Sequence, residues 1–194
     1  MKTVSRIWLG TRRLLRNLAR DNSGIAATEF AVIVPIMLVM FFGTVEFSSG
    51  VAVDRKVTLM ARTLSDLTSQ SVSVGDTEMT NFFAASAAIM TPYSATPTQS
   101  TITELYVDPA TLRARVQWSK GTTPRTAGSQ VAIPSALAVA GTYLIFSEVS
   151  YLYTPTIGYV MSKSGVALSD TAYTRPRQST CVLYGTTTGS CPTS

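Results

Sequence analysis

Three sets of side chains in this sequence carry chemistry, and the first stands at the head of an apolar run: Gly24, Ile25 and Glu29. A glycine before isoleucine leaves a peptide bond without a Cβ on its acyl side, which lets another protein's backbone approach closely. Hydrolysis there would free the Ile25 α-amine, cationic when exposed. A carboxylate in the same low-dielectric layer is its natural counter-charge. Glu29 is such a carboxylate, one turn into the run, where an ionised acid is costly unless it snorkels to the headgroups or finds a partner. The second set is Cys181 and Cys191, in a tail rich in Thr, Ser and Gly. In an oxidising compartment they can close a disulfide that clips a short exposed loop, worth about 2–3 kcal/mol by loop closure; two free thiols are the alternative. The third set is the acids. Asp76 and Glu78 are neighbours near a helix start, where anions are favourable for dipole reasons alone.

Much chemistry is excluded by what the chain lacks. It contains no histidine and only two cysteines. That removes nucleophile arrangements built on histidine, His-ligated metals, and four-thiolate zinc or iron-sulfur centres. No phosphate-binding glycine loop or calcium loop occurs. Arg175 and Arg177 flank Pro176 in what reads as a surface segment. No enzyme activity, cofactor or metal is expected.

Of the 194 residues 14% are charged, well under the roughly 25% of an average soluble protein. Lys2, Arg6, Arg12, Arg13, Arg16 and Arg20 precede Gly24 with only Asp21 against them, whereas ten cations and ten anions follow from Ile25 onward. The basic character belongs to the leader, so a basic nucleic-acid surface on the body is not expected. Ile7, Trp8, Leu9, Leu14, Leu15 and Leu18 give that leader an apolar face suited to a membrane surface.

Ile25 to Phe47 would reach roughly 34 Å as a helix, enough for a hydrocarbon layer of about 30 Å. The cations before it predict a cytoplasmic N-terminus and a translocated body. A cleaved secretory signal is the alternative, although its apolar region runs only about 7 to 15 residues. Pro35 lies inside the helix, where its ring and missing N–H bend or loosen it.

The segment Gly24-Ile25-Ala26-Ala27-Thr28-Glu29-Phe30 resembles the prepilin peptidase site of type IV pilin-like proteins, cut after the glycine with glutamate at the fifth mature position. The following AVIVPIMLVMFFGTVEF resembles the membrane helix of the TadE and TadF pseudopilins of the tight adherence (Flp) pilus system. The Tyr-rich run from Glu148 to Tyr153 and the segment Thr171 to Arg177 add a weaker likeness. The resemblance implies cleavage between Gly24 and Ile25, and a register role in helix packing for Glu29, with Phe30 and Pro35 in the same segment. It also implies the partners: a prepilin peptidase, the major pilin and other minor pilins, the inner-membrane assembly platform and membrane lipid. An uncleaved, signal-anchored binding domain of the envelope is the alternative.

Beyond the span, Val53, Val57, Met60, Leu64 and Leu67 recur at helical spacing, and Arg62 and Asp66 form an i,i+4 pair. Gly75 is the expected stop. A second helix is predicted over Thr77 to Met90, capped by Asp76 or Thr77 and closed by Pro92. Leu112, Ala114, Val116 and Trp118 alternate with polar residues as a strand, paired to Ile102–Val107 through a turn at Asp108-Pro109-Ala110. Lys120 to Gln130 is a loop, and Pro134 to Val139 a short helix stopped by Gly141. Thr142 to Tyr153 is the strongest strand, with Val166 to Tyr173 as its partner. Tyr143, Tyr151, Tyr153 and Tyr159 read as sheet and interface residues. The expected fold is α+β and pilin-like: a long N-terminal membrane-spanning helix continuing into a small domain with a second helix and an antiparallel sheet. The expected divisions are a leader (1–24), a membrane helix (25–47), an amphipathic helix (48–74) and an extracytoplasmic domain (75–194).

Overall fold

The apolar run and the amphipathic stripe merge into one helix. A computed structural model describes residues 23–155, 164–185 and 189–193, and in it α1 spans Ser23–Ser69 with Pro35 inside. Residues 1–22 of the leader, with its apolar face, and Tyr159 lie outside the described residues. The chain divides into two units, 1–45 and 46–194. In the first, the most apolar stretch of α1 has a mean hydropathy of 2.3 and none of it is buried, so by length and composition it can cross a membrane.

In the second unit the same helix becomes a core element. Val53, Val57, Met60, Ala61 and Leu64 are buried at the spacing of one helical face. The first four pack with Val149, Tyr151 and Tyr153, and Leu64 with Ile102, Ile145 and Val182. Leu67, expected on this stripe, is only half-buried; Ser65 and Thr68 are buried instead. Helical steps of about 100° carry the contact line through those small side chains. Ser65 Oγ donates to the Ile145 carbonyl at 3.2 Å, and Ser147 Oγ to the Ala61 carbonyl at 2.7 Å. The helix backbone can therefore lie close to the sheet with its polar contacts satisfied.

α1 ends at Ser69, six residues before the expected stop. The Arg177 N–H takes the Ser69 carbonyl at 2.8 Å, and Ser71 N–H the Thr68 carbonyl at 3.1 Å, so the last carbonyls find donors without a glycine. Gly75 is instead the N-cap of α2 (Asp76–Ala87), and Glu78 Oε2 accepts its N–H at 3.0 Å. Neither Asp76 nor Thr77 is the cap. A 3-10 turn, Ala88–Met90, completes the second helical segment. Lys56 Nζ donates to the carbonyls of Ile89 and Thr91, both at 2.8 Å, tying this segment to α1. The expected Arg62–Asp66 pair gives way to other partners: Asp66 takes Arg177 at 2.5 Å and the Gln70 amide at 2.6 Å.

The main sheet has the order β4-β3-β2-β5-β6, all antiparallel. Its strands are β2 (Thr98–Val107), β3 (Ala114–Gly121), β4 (Gln130–Val131), β5 (Tyr143–Tyr153) and β6 (Val166–Thr174). In the β2–β3 turn, Asp108 Oδ1 accepts the N–H groups of Ala110 at 2.8 Å and Thr111 at 3.3 Å. Leu112 is not part of the alternation. It sits exposed in the turn with φ +55°, and the buried face of β3 starts at Ala114. The segment expected to be a loop contributes the last residues of β3 and opens β4. Gly121 has φ +139°, and a Cβ there would lie 2.2 Å from the Ser100 carbonyl oxygen, so only glycine fits. The expected short helix is a 3-10 turn, Ser135–Leu137. A second, two-stranded parallel sheet joins β1 (Ser73–Val74) to β7 (Leu183–Tyr184).

Leu64 is fully buried between α1 and both sheets, so Leu64→Ala is expected to lower unfolding stability by about 2–5 kcal/mol. Denaturant unfolding of the detergent-solubilised chain measures it. A loss below about 1 kcal/mol would mean that this half of α1 is not a core element.

Candidate functional site

The residues singled out at the N-terminus fall in the first two turns of α1. Gly24 and Ile25 follow its first residue, and a Cβ built on Gly24 would meet nothing within 4 Å. The bond between them is therefore sterically open among the described residues. Ile25 is 55% and Phe30 69% exposed, and Glu29 is exposed too. Thr28 Oγ1 donates back to the Ile25 carbonyl at 2.8 Å, a contact within the helix. Pro35 has no N–H to give the Ala31 carbonyl, yet α1 continues on both sides of it. Exposed apolar side chains around an exposed carboxylate describe a surface that water does not suit.

At the other end of the chain, Cys181 and Cys191 are joined, with Cα atoms 5.8 Å apart. The pair is less peripheral than a clip on an exposed loop, because Cys181 is buried against Tyr106 and Tyr143. The tail is laid onto the sheet by specific bonds. Leu183 N–H donates to the Val72 carbonyl at 3.1 Å, Trp118 Nε1–H to the Val182 carbonyl at 2.7 Å, and Tyr143 OH to the Pro192 carbonyl at 2.7 Å. At the rim, the Tyr184 hydroxyl donates to Asp76 Oδ1, and Lys120 Nζ lies 3.4 Å from the same oxygen and 4.5 Å from the Tyr184 ring centroid. These contacts hold the Asp76 carboxyl below the usual range, Tyr184 first and Lys120 next.

Sequence reasoning passed over Glu104. It lies in β2 beside Ile102, is 0% exposed, and accepts the Val182 N–H through Oε1 at 2.6 Å. Oε2 has no hydrogen-bond partner among the described residues. Burial pushes this carboxyl up to about 7, against the opposing pulls of the Val182 N–H and the Trp118 indole. The available signal was a lone acid inside the run from Ile102 to Val107; strand alternation alone does not show that both faces are covered. Among the described residues no group of three or more His, Cys, Asp or Glu is placed to hold a metal.

The family model for TadE-like proteins matches residues 24–64, from the glycine of the open bond to the leucine that anchors α1 on the sheet. Searches of curated proteins and of solved structures give no match. The N-terminal helix is thus similar to TadE-like proteins over its apolar part and most of its packed part.

Glu104 makes the stability of the second unit depend on pH in an unusual direction. Its carboxyl is raised from 4.5 to about 7, so its contribution is fully present below pH 4.5 and is lost as the pH rises through about 7. The difference is on the order of 3 kcal/mol. Glu104→Gln is expected to flatten the unfolding free energy between pH 5 and pH 8. A wild-type profile that is flat or rises across this range would contradict the buried, uncompensated carboxyl.

Proposed function

We propose that this chain is a minor pilin or pseudopilin of a tight adherence, type IV-like pilus, made as a membrane precursor and trimmed by a prepilin peptidase between Gly24 and Ile25. The observation that carries this reading is the TadE-like match beginning at Gly24, on a helix whose first turns are exposed and whose apolar stretch is long enough for a bilayer. Its role is structural: the membrane half of α1 packs with neighbouring pilin helices, and the second unit lies outside the cytoplasmic membrane. The six leader cations support a cytoplasmic N-terminus. The Cys181–Cys191 bond suits an oxidising compartment. Its partners on this reading are the prepilin peptidase, the major pilin, related minor pilins, the inner-membrane assembly platform and surrounding lipid.

Glu29 takes its role from the cleavage. Once Ile25 becomes the N-terminus, its ammonium and the Glu29 carboxylate of an adjacent subunit are opposite charges in a medium that solvates neither well, so pairing them sets the axial register of packed helices. A misregistered helix leaves both charges unmatched.

Intact mass and N-terminal sequence of the membrane-extracted protein test the processing step. The chain is expected to begin at Ile25 only when an active prepilin peptidase is present. A start at Met1 under both conditions, or beyond Phe47, would overturn the reading. In a second experiment, Glu29→Gln is expected to insert and be cut normally but to lose co-purification with the other pilus subunits; wild-type recovery of those subunits would remove the counter-charge role.

A further inference from the structure

Within the second unit, β5 runs back along α1 toward the apolar run. Ser65 Oγ donates to the Ile145 carbonyl, Ser147 Oγ to the Ala61 carbonyl, and the Tyr153 hydroxyl to the Glu46 carbonyl at 3.4 Å. The strand therefore ends beside the first turn of the packed helix, where a Cβ built on Gly50 would lie 3.6 Å from the Tyr153 ring. β6 starts at the same place, with Val166 paired to Tyr153. Phe47, Val51, Tyr153, Val166 and Leu168 line an open cavity of about 200 Å³ here, and Asp54 is its one charged liner. Phe47 is 68%, Val51 40% and the neighbouring Leu152 46% exposed.

We propose that this end of the second unit is a second membrane contact, resting in the interfacial layer of the leaflet that faces away from the cytoplasm, with a phospholipid acyl chain in the cavity. The inference rests on the reading of Ile25 to Phe47 as a membrane span. Phe47 closes that run, so the edge of the hydrocarbon falls beside it, and the headgroup layer reaches about 5–8 Å farther out. Along the helix Val51 lies about 6 Å and Asp54 about 10 Å beyond Phe47. The apolar wall thus spans the interfacial layer, and the exposed Asp54 emerges from it into water. A tyrosine with an apolar ring and a bonded hydroxyl suits the same layer. No cation lines the cavity to hold a phosphate, and Asp54 repels one, so the acyl part of the lipid is the part that enters. A helix of a second copy is the other apolar occupant; lipid is favoured because it already surrounds Phe47 wherever the run crosses a bilayer.

Photo-crosslinking of the full chain in phosphatidylethanolamine vesicles tests the contact. Leu152→benzoylphenylalanine puts a group that reacts with nearby C–H bonds beside the cavity, and Val166→benzoylphenylalanine puts one in its wall. Two controls bracket them: Phe41→benzoylphenylalanine inside the apolar run, and Val139→benzoylphenylalanine near the start of β5, roughly 30 Å from Tyr153 along the strand. After irradiation the intact mass is read. The Leu152, Val166 and Phe41 variants are expected to gain the mass of one phospholipid, and the Val139 variant is not. A lipid adduct at Phe41 without one at Leu152 overturns the proposal and leaves the membrane span standing. An adduct that is a second copy of the chain, or equal labelling at Val139 and Leu152, also overturns it. No lipid adduct at Phe41 removes the membrane reading and the proposal together. Leu152 is exposed, so its variant decides the matter even where the Val166 variant fails to fold.

Discussion

The second unit depends on the seam between the C-terminal half of α1 and the central strands β2 and β5. Large apolar residues occupy the part nearer Val53, but at Ala61, Ser65 and Thr68 the helix presents small side chains, and the sheet answers with Ser147. Two of these hydroxyls donate across the seam to main-chain carbonyls, so close approach leaves their polar atoms satisfied. Bulky side chains at these positions would hold the helix off the sheet. Much else follows from this contact: where Arg177 can reach the end of α1, and where β1 can meet β7.

The tail is the second wrap. Its described residues, 181–185 and 189–193, contribute Cys181 and Val182 to the core and a strand to the small sheet. Three tyrosines of β5 extend the same principle of buried ring and bonded hydroxyl. Tyr143 reaches Pro192, Tyr151 reaches the Ser94 carbonyl at 3.0 Å, and Tyr153 reaches the Glu46 carbonyl at 3.4 Å. One strand thus touches the tail, the segment after α2 and the start of the packed half of α1.

The two halves of α1 meet opposite physical demands. From Glu46 onward its apolar face is buried by the protein itself; before that, apolar side chains surround the helix and none of the most apolar stretch is covered. A helix that is apolar all round needs lipid or other helices for solvent. The stretch with that requirement lies within the segment that matches the TadE-like family model.

By itself, the sequence determined the features that depend on local pattern. The apolar run, the stripe through Val53 and Leu64, the β2–β3 and β5–β6 pairings, and the exposed Gly24-Ile25-Glu29 head were all legible because composition and period act over a few neighbouring residues. The two cysteines could be seen as a pair, but their burial could not. Tertiary structure decided where α1 stops, since its final carbonyl, that of Ser69, is met by the Arg177 N–H, over a hundred residues away. It also decided that Gly75 begins a helix instead of ending one, and that Asp66 pairs with Arg177 instead of Arg62. Glu104 makes the same point most strongly. Its burial comes from the tail folding back over β2, a contact between segments 78 residues apart that no local spacing contains.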